Sequence, residues 1–259
     1  MSGAKTFNWA GWSSLVLLLL AWELGARSTA ALQSYLPPIS AVIGALGELF
    51  VTGRLRGHAV VTLERFFAGY LIAAGVGVSF GIALGYFRSL HHLVGIVIEF
   101  LRPMPSVAII PVAILMLGIG DSMIVAVTVY ATVWPILMNT IDGVRHIEST
   151  LVNTGRTFGL SRWRILRQII LPGASPYIVT GLRIALAIAL ILVTTAEMVA
   201  GSKGLGFFIL DEERSMNTTN MYAGVMIVAA LGYALNRLFL ALESRVMRWR
   251  HGMAARVTA

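Results

Sequence analysis

Asn153-Thr154-Gly155-Arg156-Thr157-Phe158-Gly159-Leu160-Ser161-Arg162-Trp163-Arg164-Ile165-Leu166-Arg167-Gln168-Ile169-Ile170-Leu171-Pro172 is a polar, arginine-rich stretch set between long apolar runs. Such a stretch lies outside a bilayer. Ser161 is a good N-cap. Trp163, Leu166 and Ile170 then recur at helical spacing, with Arg164 and Arg167 on another side. Gly159 allows a tight turn before the cap. Pro172 is expected to end the helix, because the residue before a proline is pushed away from α geometry. The reading is a short rigid peg at a membrane face. Its apolar stripe needs a protein partner or a lipid surface to cover it.

The rest of the chain supports a membrane setting. Of 259 residues, 57% are hydrophobic and only 12% are charged, where soluble domains average about 25% charged. There is no cysteine, hence no disulfide framework. The net charge of +8 does not point to nucleic acid. The arginines cluster at the ends of apolar runs, where they act as topology signals and lipid head-group contacts.

A span needs about 20 mainly apolar residues. The candidates are 11–26, 66–87, 92–117, 123–141, 174–200 and 221–242, and in lipid only helices satisfy their own backbone here. The first run, though shorter, reads as a retained span in preference to a cleaved signal peptide, because Trp22 and Glu23 interrupt it. With both termini in the cytoplasm, the inner segments hold Lys5, Arg88, Arg145, Arg156, Arg162, Arg164, Arg167, Arg245, Arg248, Arg250 and Arg256. The outer segments then hold only Arg27, Arg54, Arg56, Arg65, Lys203 and Arg214. The positive-inside rule favours this orientation, with the peg in the cytoplasm. The domain reading is an N-terminal helix at 1–35 and an outer amphipathic segment at 36–65. A core follows at 66–247, carrying the loop 151–172, and then a basic tail at 248–259 that anchors on anionic lipid.

Several spans carry local signals. Between the first two, a helix from Ser40 to Phe50 is expected to place Ile43, Leu46 and Phe50 on one face. Gly69, Ala73, Gly77, Gly81 and Gly85 recur at four-residue steps, a face for close helix approach within the subunit or between two copies. Arg102, Pro103, Pro105 and Pro111 break the third span, and a backbone broken at membrane depth is tolerated when buried in protein or lining a cavity. Arg102 marks a function or anchors the span near the interface. Trp134, beside Pro135, and Asn139 are candidate path residues. Glu197 closes the fifth span and needs a partner if buried.

The peg resembles the cytoplasmic loop in integral-membrane subunits of binding-protein-dependent ABC importers. That loop reads Glu-Ala-Ala, three residues, Gly, nine residues, Ile, one residue, Leu-Pro. Gly159, Ile169, Leu171 and Pro172 stand at those spacings, and Gly155 takes the second small position. Asn153 replaces the usual Glu and Thr154 the first Ala, so no role is carried over to Asn153. Arg102-Pro103-Met104-Pro105 through Pro111, Gly118 and Gly120, together with Glu197 before Gly204-Leu205-Gly206, is similar to the sulfonate, nitrate and taurine branch. The resemblance implies an all-α, type I importer permease with about six spans. It implies a homodimeric pore in the bacterial inner membrane, ABC ATPase subunits docked under the loops, and a periplasmic binding protein delivering a small anionic solute. It assigns Gly155, Gly159, Ser161, Arg162, Trp163, Leu166, Ile169, Leu171 and Pro172 to ATPase coupling. It places Arg102, Pro105, Pro111, Trp134, Asn139 and Glu197 along the pathway or gate, and Gly77, Gly81 and Gly85 in helix packing.

No G-x-x-x-x-G-K-[ST], H-E-x-x-H or G-x-S-x-G occurs. The chain is therefore expected to be no enzyme and to hold no cofactor or metal, with ATP and Mg²⁺ on the partner ATPase. The rival class is a secondary transporter driven by an ion gradient. Such proteins often show inverted repeats and ionisable residues near the midplane. Here the carboxylates sit near span ends and no repeat is seen.

Overall fold

A computed structural model describes residues 9–247; the basic tail at 248–259 and Lys5 lie outside them. All regular structure among the described residues is helical. In chain order the helices are α1 (Trp9–Ala26), α2 (Ala30–Tyr35), α3 (Ile39–Val51), α4 (Arg54–Tyr86), α5 (Arg88–Leu101), α6 (Ile110–Leu117), α7 (Asp121–Arg145), α8 (Ser149–Thr157), α9 (Arg162–Ile165), α10 (Leu171–Ala200), α11 (Leu205–Arg214) and α12 (Thr218–Val246). A 3₁₀ turn (Ser106–Ile109) precedes α6, and a π-helical turn (Leu166–Ile170) joins α9 to α10.

The glycine steps of α4 build the centre. A Cβ at Gly69 would sit 2.8 Å from Thr128 Cβ, one at Gly77 2.9 Å from Ile136 Cβ, one at Gly81 2.5 Å from Thr140 Cβ, and one at Gly85 2.7 Å from Val144 Cβ. Both number series rise together, so α4 and α7 run parallel in fixed register. The expected small-residue face is thus spent inside the subunit, not between copies. Only side chains without a Cβ let the two backbones approach this closely. On the other side of α7, Gly143 meets Tyr177 and Gly181 meets Asn139; these series run oppositely, so α10 is antiparallel to α7. The buried hydroxyls of Thr128, Thr132 and Thr140 donate to the carbonyls of Ile124, Thr128 and Ile136 at 2.6–2.7 Å. Each is satisfied within its own helix, which lets polar residues line an apolar interface.

Five described helices are long and apolar enough to cross a membrane, and one bent pair makes up to six. The membrane-protein architecture expected from composition therefore holds, and three features refine it. First, the third span is broken where its prolines predict a break: α5 and Ser106–Leu117 meet at 89°. Pro105, at the head of the 3₁₀ turn, has extended backbone, and its missing N–H removes a helical hydrogen bond at the break. Second, the buried face of α3 is Val42 and Leu49; Ile43 and Phe50 point outward. Third, Gln33–Val51 also meets the length and composition for a span. The polar interruption of α1 is structural. Trp22 donates to Pro37 O at 3.1 Å, and Glu23 accepts from the Ser40 amide at 3.1 Å and the Ser40 hydroxyl at 2.8 Å. Glu23 thus holds the first turn of α3, where orphan N–H groups need acceptors.

Candidate functional site

The parallel register of α4 and α7 fixes two opposite ends of the bundle. At one end stands the arginine-rich peg. At the other, Arg65, Asp121 and Glu197 meet.

The peg is built by two local devices. At the end of α8, Gly159 adopts φ +72, the left-handed conformation that favours glycine. Its N–H donates to Arg156 O at 2.9 Å, and Leu160 N–H donates to Gly155 O at 3.0 Å. This is the Schellman pattern that satisfies orphan carbonyls. Leu160 tucks into the apolar cluster of Val144, Ile165, Ile170 and Ala174. Gly155 is buried, and a Cβ there would come within 2.8 Å of Ile169 Cδ1. Ser161 then caps α9, accepting from the Arg164 amide at 3.4 Å.

Pro172 does not end the helix. From Arg162 to Ala200 the helix is continuous over 39 residues. Leu171 N–H reaches back to Leu166 O, five residues away, across the π turn. The proline sits in the first turn of α10, where its lack of an N–H is absorbed by the widened turn. The peg is therefore the end of the fifth span itself. Its inward stripe also differs from the expected one. Ile165 and Ile170 are buried, Leu166, Ile169 and Leu171 are half-buried, and Trp163 is 67% exposed. Phe158 beside it is 80% exposed. Arg162, Arg164 and Arg167 are exposed around them.

At the opposite end, Glu197 is fully buried. Its carboxylate accepts from Arg65 Nη1 at 2.9 Å, from Thr62 Oγ1 at 2.9 and 3.0 Å, and from the Gly206 amide at 3.0 Å. Arg65 also donates through Nε to Asp121 Oδ1 at 2.8 Å and through Nη1 to Lys203 O at 2.7 Å. Thr62 Oγ1 accepts from the Leu205 amide at 2.7 Å. One guanidinium thus joins α4, α7, α10 and the loop after α10. Gly204 (φ +112) leaves the space occupied by the Glu197 carboxyl group, and Gly206 leaves space for Thr194 O. The sequence marked Glu197 and the Gly-Leu-Gly turn. It missed Arg65, Asp121 and Thr62, and it counted Arg65 as an outer-loop charge. An arginine facing the small-residue stripe, four residues before Gly69, was the available signal.

The other candidate path residues lie along the chain from the end of α5 to α7. Arg102 caps α5 at the break and is exposed, as is Pro105, while Pro111 lies in the first turn of α6. Trp134 packs with Leu84, Ile98 and Leu137 and stacks edge-on against Tyr130 at 5.6 Å. Asn139 donates to Pro135 O at 2.8 Å and packs against Gly181.

This fold has counterparts of known structure. The inward-facing MetNI methionine ABC transporter matches at TM-score 0.62 and 22% identity, covering 75% of this chain and 94% of that one. An amino acid ABC transporter matches at TM-score 0.61 and 16% identity, covering 78% and 97%. Residues 75–248 match the family of binding-protein-dependent transport system inner membrane components, and the chain belongs to that family. It is a permease subunit of an ABC importer; ATP hydrolysis in such systems sits in a separate subunit, so the chain is not itself an enzyme.

Among its relatives, the putative ABC transporter permease protein MJ0413 of Methanocaldococcus jannaschii is 32% identical, over 84% of both chains. The taurine transport system permease protein TauC of Escherichia coli is 29% identical over 92% of this chain and 88% of that one. The bicarbonate transport system permease protein CmpB of Synechococcus elongatus is 34% identical over 74% and 69%.

Proposed function

We propose that two copies of this permease form a pore that imports a small solute bearing an oxyanionic group, delivered by a periplasmic binding protein. The relatives named for taurine and bicarbonate, together with an aliphatic sulfonates permease of Bacillus subtilis that is 26% identical, support that solute class. The peg end lies in the cytoplasm, with both termini, in an inner membrane whose anionic lipid holds the basic tail. No cofactor binds this chain; ATP and Mg²⁺ act on the partner ATPase.

The observation that carries this reading is the unbroken helix from Arg162 to Ala200, with Trp163 exposed in its first turn and Phe158 exposed at the end of α8. A large exposed aromatic pair fits the anchor of an interface, and arginines around it suit an acidic groove rim. Gly155, Gly159, Ser161, Ile169, Leu171 and Pro172 shape the peg, while Arg162 and Trp163 touch the ATPase. Leu166 keeps the peg on the bundle. Motion of the ATPase is then passed along α10 toward Glu197 at the far end, without an intervening hinge loop. Arg102, Pro105, Pro111, Trp134 and Asn139 border the pathway, and the Arg65–Glu197 cluster fixes the outer gate.

Affinity purification of a tagged copy in mild detergent tests this. Recovery of an ATPase subunit at equal stoichiometry supports it. Recovery of the chain alone, still transporting in ATP-free vesicles, establishes the secondary transporter instead.

A further inference from the structure

At the peg end, a cavity of about 830 Å³ opens between the α4–α5 junction, α5, the end of α7 and α8. Arg88, His91, His92, Arg145 and Arg156 line it, and Glu99 is the one carboxylate in its lining. No salt bridge engages Arg88, Arg145 or Arg156 among the described residues. His91 Nδ1 is buried there without a hydrogen-bond partner, and a buried polar atom left unmade is costly.

Topology signals need only lie on the correct side of the membrane. They have no reason to converge from three helices, α5, α7 and α8, on one concavity. Converging cations in a cleft focus an attractive potential for anions, and guanidinium groups match oxyanions in a fork of donors. We propose that this cavity is an oxyanion-binding vestibule at the peg end of the permease, holding a sulfonate, carbonate or lipid phosphate group. The identity of a soluble occupant as the transported anion rests on the importer reading above. Occupied, the vestibule receives solute leaving the pore beside the coupling segment, because Asn153 and Arg156 of α8 share its wall.

The test is equilibrium binding of radiolabelled methanesulfonate to the permease–ATPase complex in phosphatidylcholine nanodiscs, without binding protein. Wild type binds saturably. The R88Q/H92Q/R156Q variant binds about tenfold more weakly or worse, a loss of about 1.4 kcal/mol. Glu99→Gln binds more tightly, a gain that misfolding cannot mimic. A second arm uses nanodiscs containing phosphatidylglycerol and native mass spectrometry. Retained phosphatidylglycerol that the triple variant loses, with no methanesulfonate bound, assigns the site to a lipid phosphate. Equal binding of both probes in all three proteins overturns the vestibule. ATP-dependent uptake by the same preparations separates the two readings, since intact uptake with failed binding removes the vestibule and leaves the importer.

Discussion

Arg65 and Glu197 are 132 positions apart in the chain, yet their guanidinium and carboxylate meet at 2.9 Å, both buried. The contact ties α4 to α10 at the end of the bundle opposite the peg. Removing one partner of a buried pair leaves an uncompensated charge, which costs about 3–5 kcal/mol. Arg65→Met, which takes the cation from buried Glu197, is expected to lower the thermal stability of the purified protein by that order, and Glu197→Ala by less, because Arg65 keeps Asp121. The double variant R65M/E197A should lose less than the sum of the single losses. A double-mutant cycle on melting in detergent measures this, and strict additivity would show that the pair is not coupled.

Gly204 faces the Glu197 carboxyl group directly and holds a positive φ. Gly204→Ala is expected to displace Glu197 from Thr62 and Arg65 and to reduce uptake strongly. Gly53→Ala, also at positive φ but in open space, provides the control for backbone strain alone. Similar uptake losses in the two would show that space around Glu197 is not the cause.

Gly81→Ala is expected to cost about 1–3 kcal/mol by overpacking, because its Cβ would lie 2.5 Å from Thr140 Cβ. Adding Thr140→Gly should recover part of that loss, less about 1 kcal/mol for glycine inside a helix. Melting temperatures of the two variants decide it; no recovery would mean the α4–α7 contact is not the strained one.

Ile165 and Trp163 are two residues apart but differ in role. Ile165 is 1% exposed, so Ile165→Ala should destabilise the fold by about 2–5 kcal/mol. Trp163→Ala should leave melting unchanged and reduce co-purified ATPase about tenfold or more, as loss of an interface anchor does. Quantitative pull-down against melting separates the two outcomes.

Much of this was legible locally. The glycine step, the cap at Ser161 and the turn at Gly159 are each written within a short stretch of the chain. Composition and basic-residue placement gave the membrane setting, and the long gapped match gave the family. Other features were hidden because their causes lie far along the chain. Arg65 reads as a loop charge until Asp121 and Glu197 are brought to it. Pro172 reads as a stop because the rule assumes α geometry, and a π turn absorbs the missing N–H. Trp163 sits in a helical stripe with Leu166 and Ile170, but the fold packs Ile165 and Ile170 inward and leaves Trp163 outside. Periodicity cannot choose between neighbouring faces when both carry apolar residues.

The most direct measurement uses the absence of cysteine from the chain. Arg164→Cys introduces a single thiol beside Trp163, which is left intact, at the tip of the peg, to which a short photo-crosslinker is attached in native membranes. Capture of an ATPase subunit from this position, and not from a thiol placed by Gln33→Cys, is the expected result. An R164C permease that transports normally while its crosslinker captures only lipid would contradict coupling through the peg.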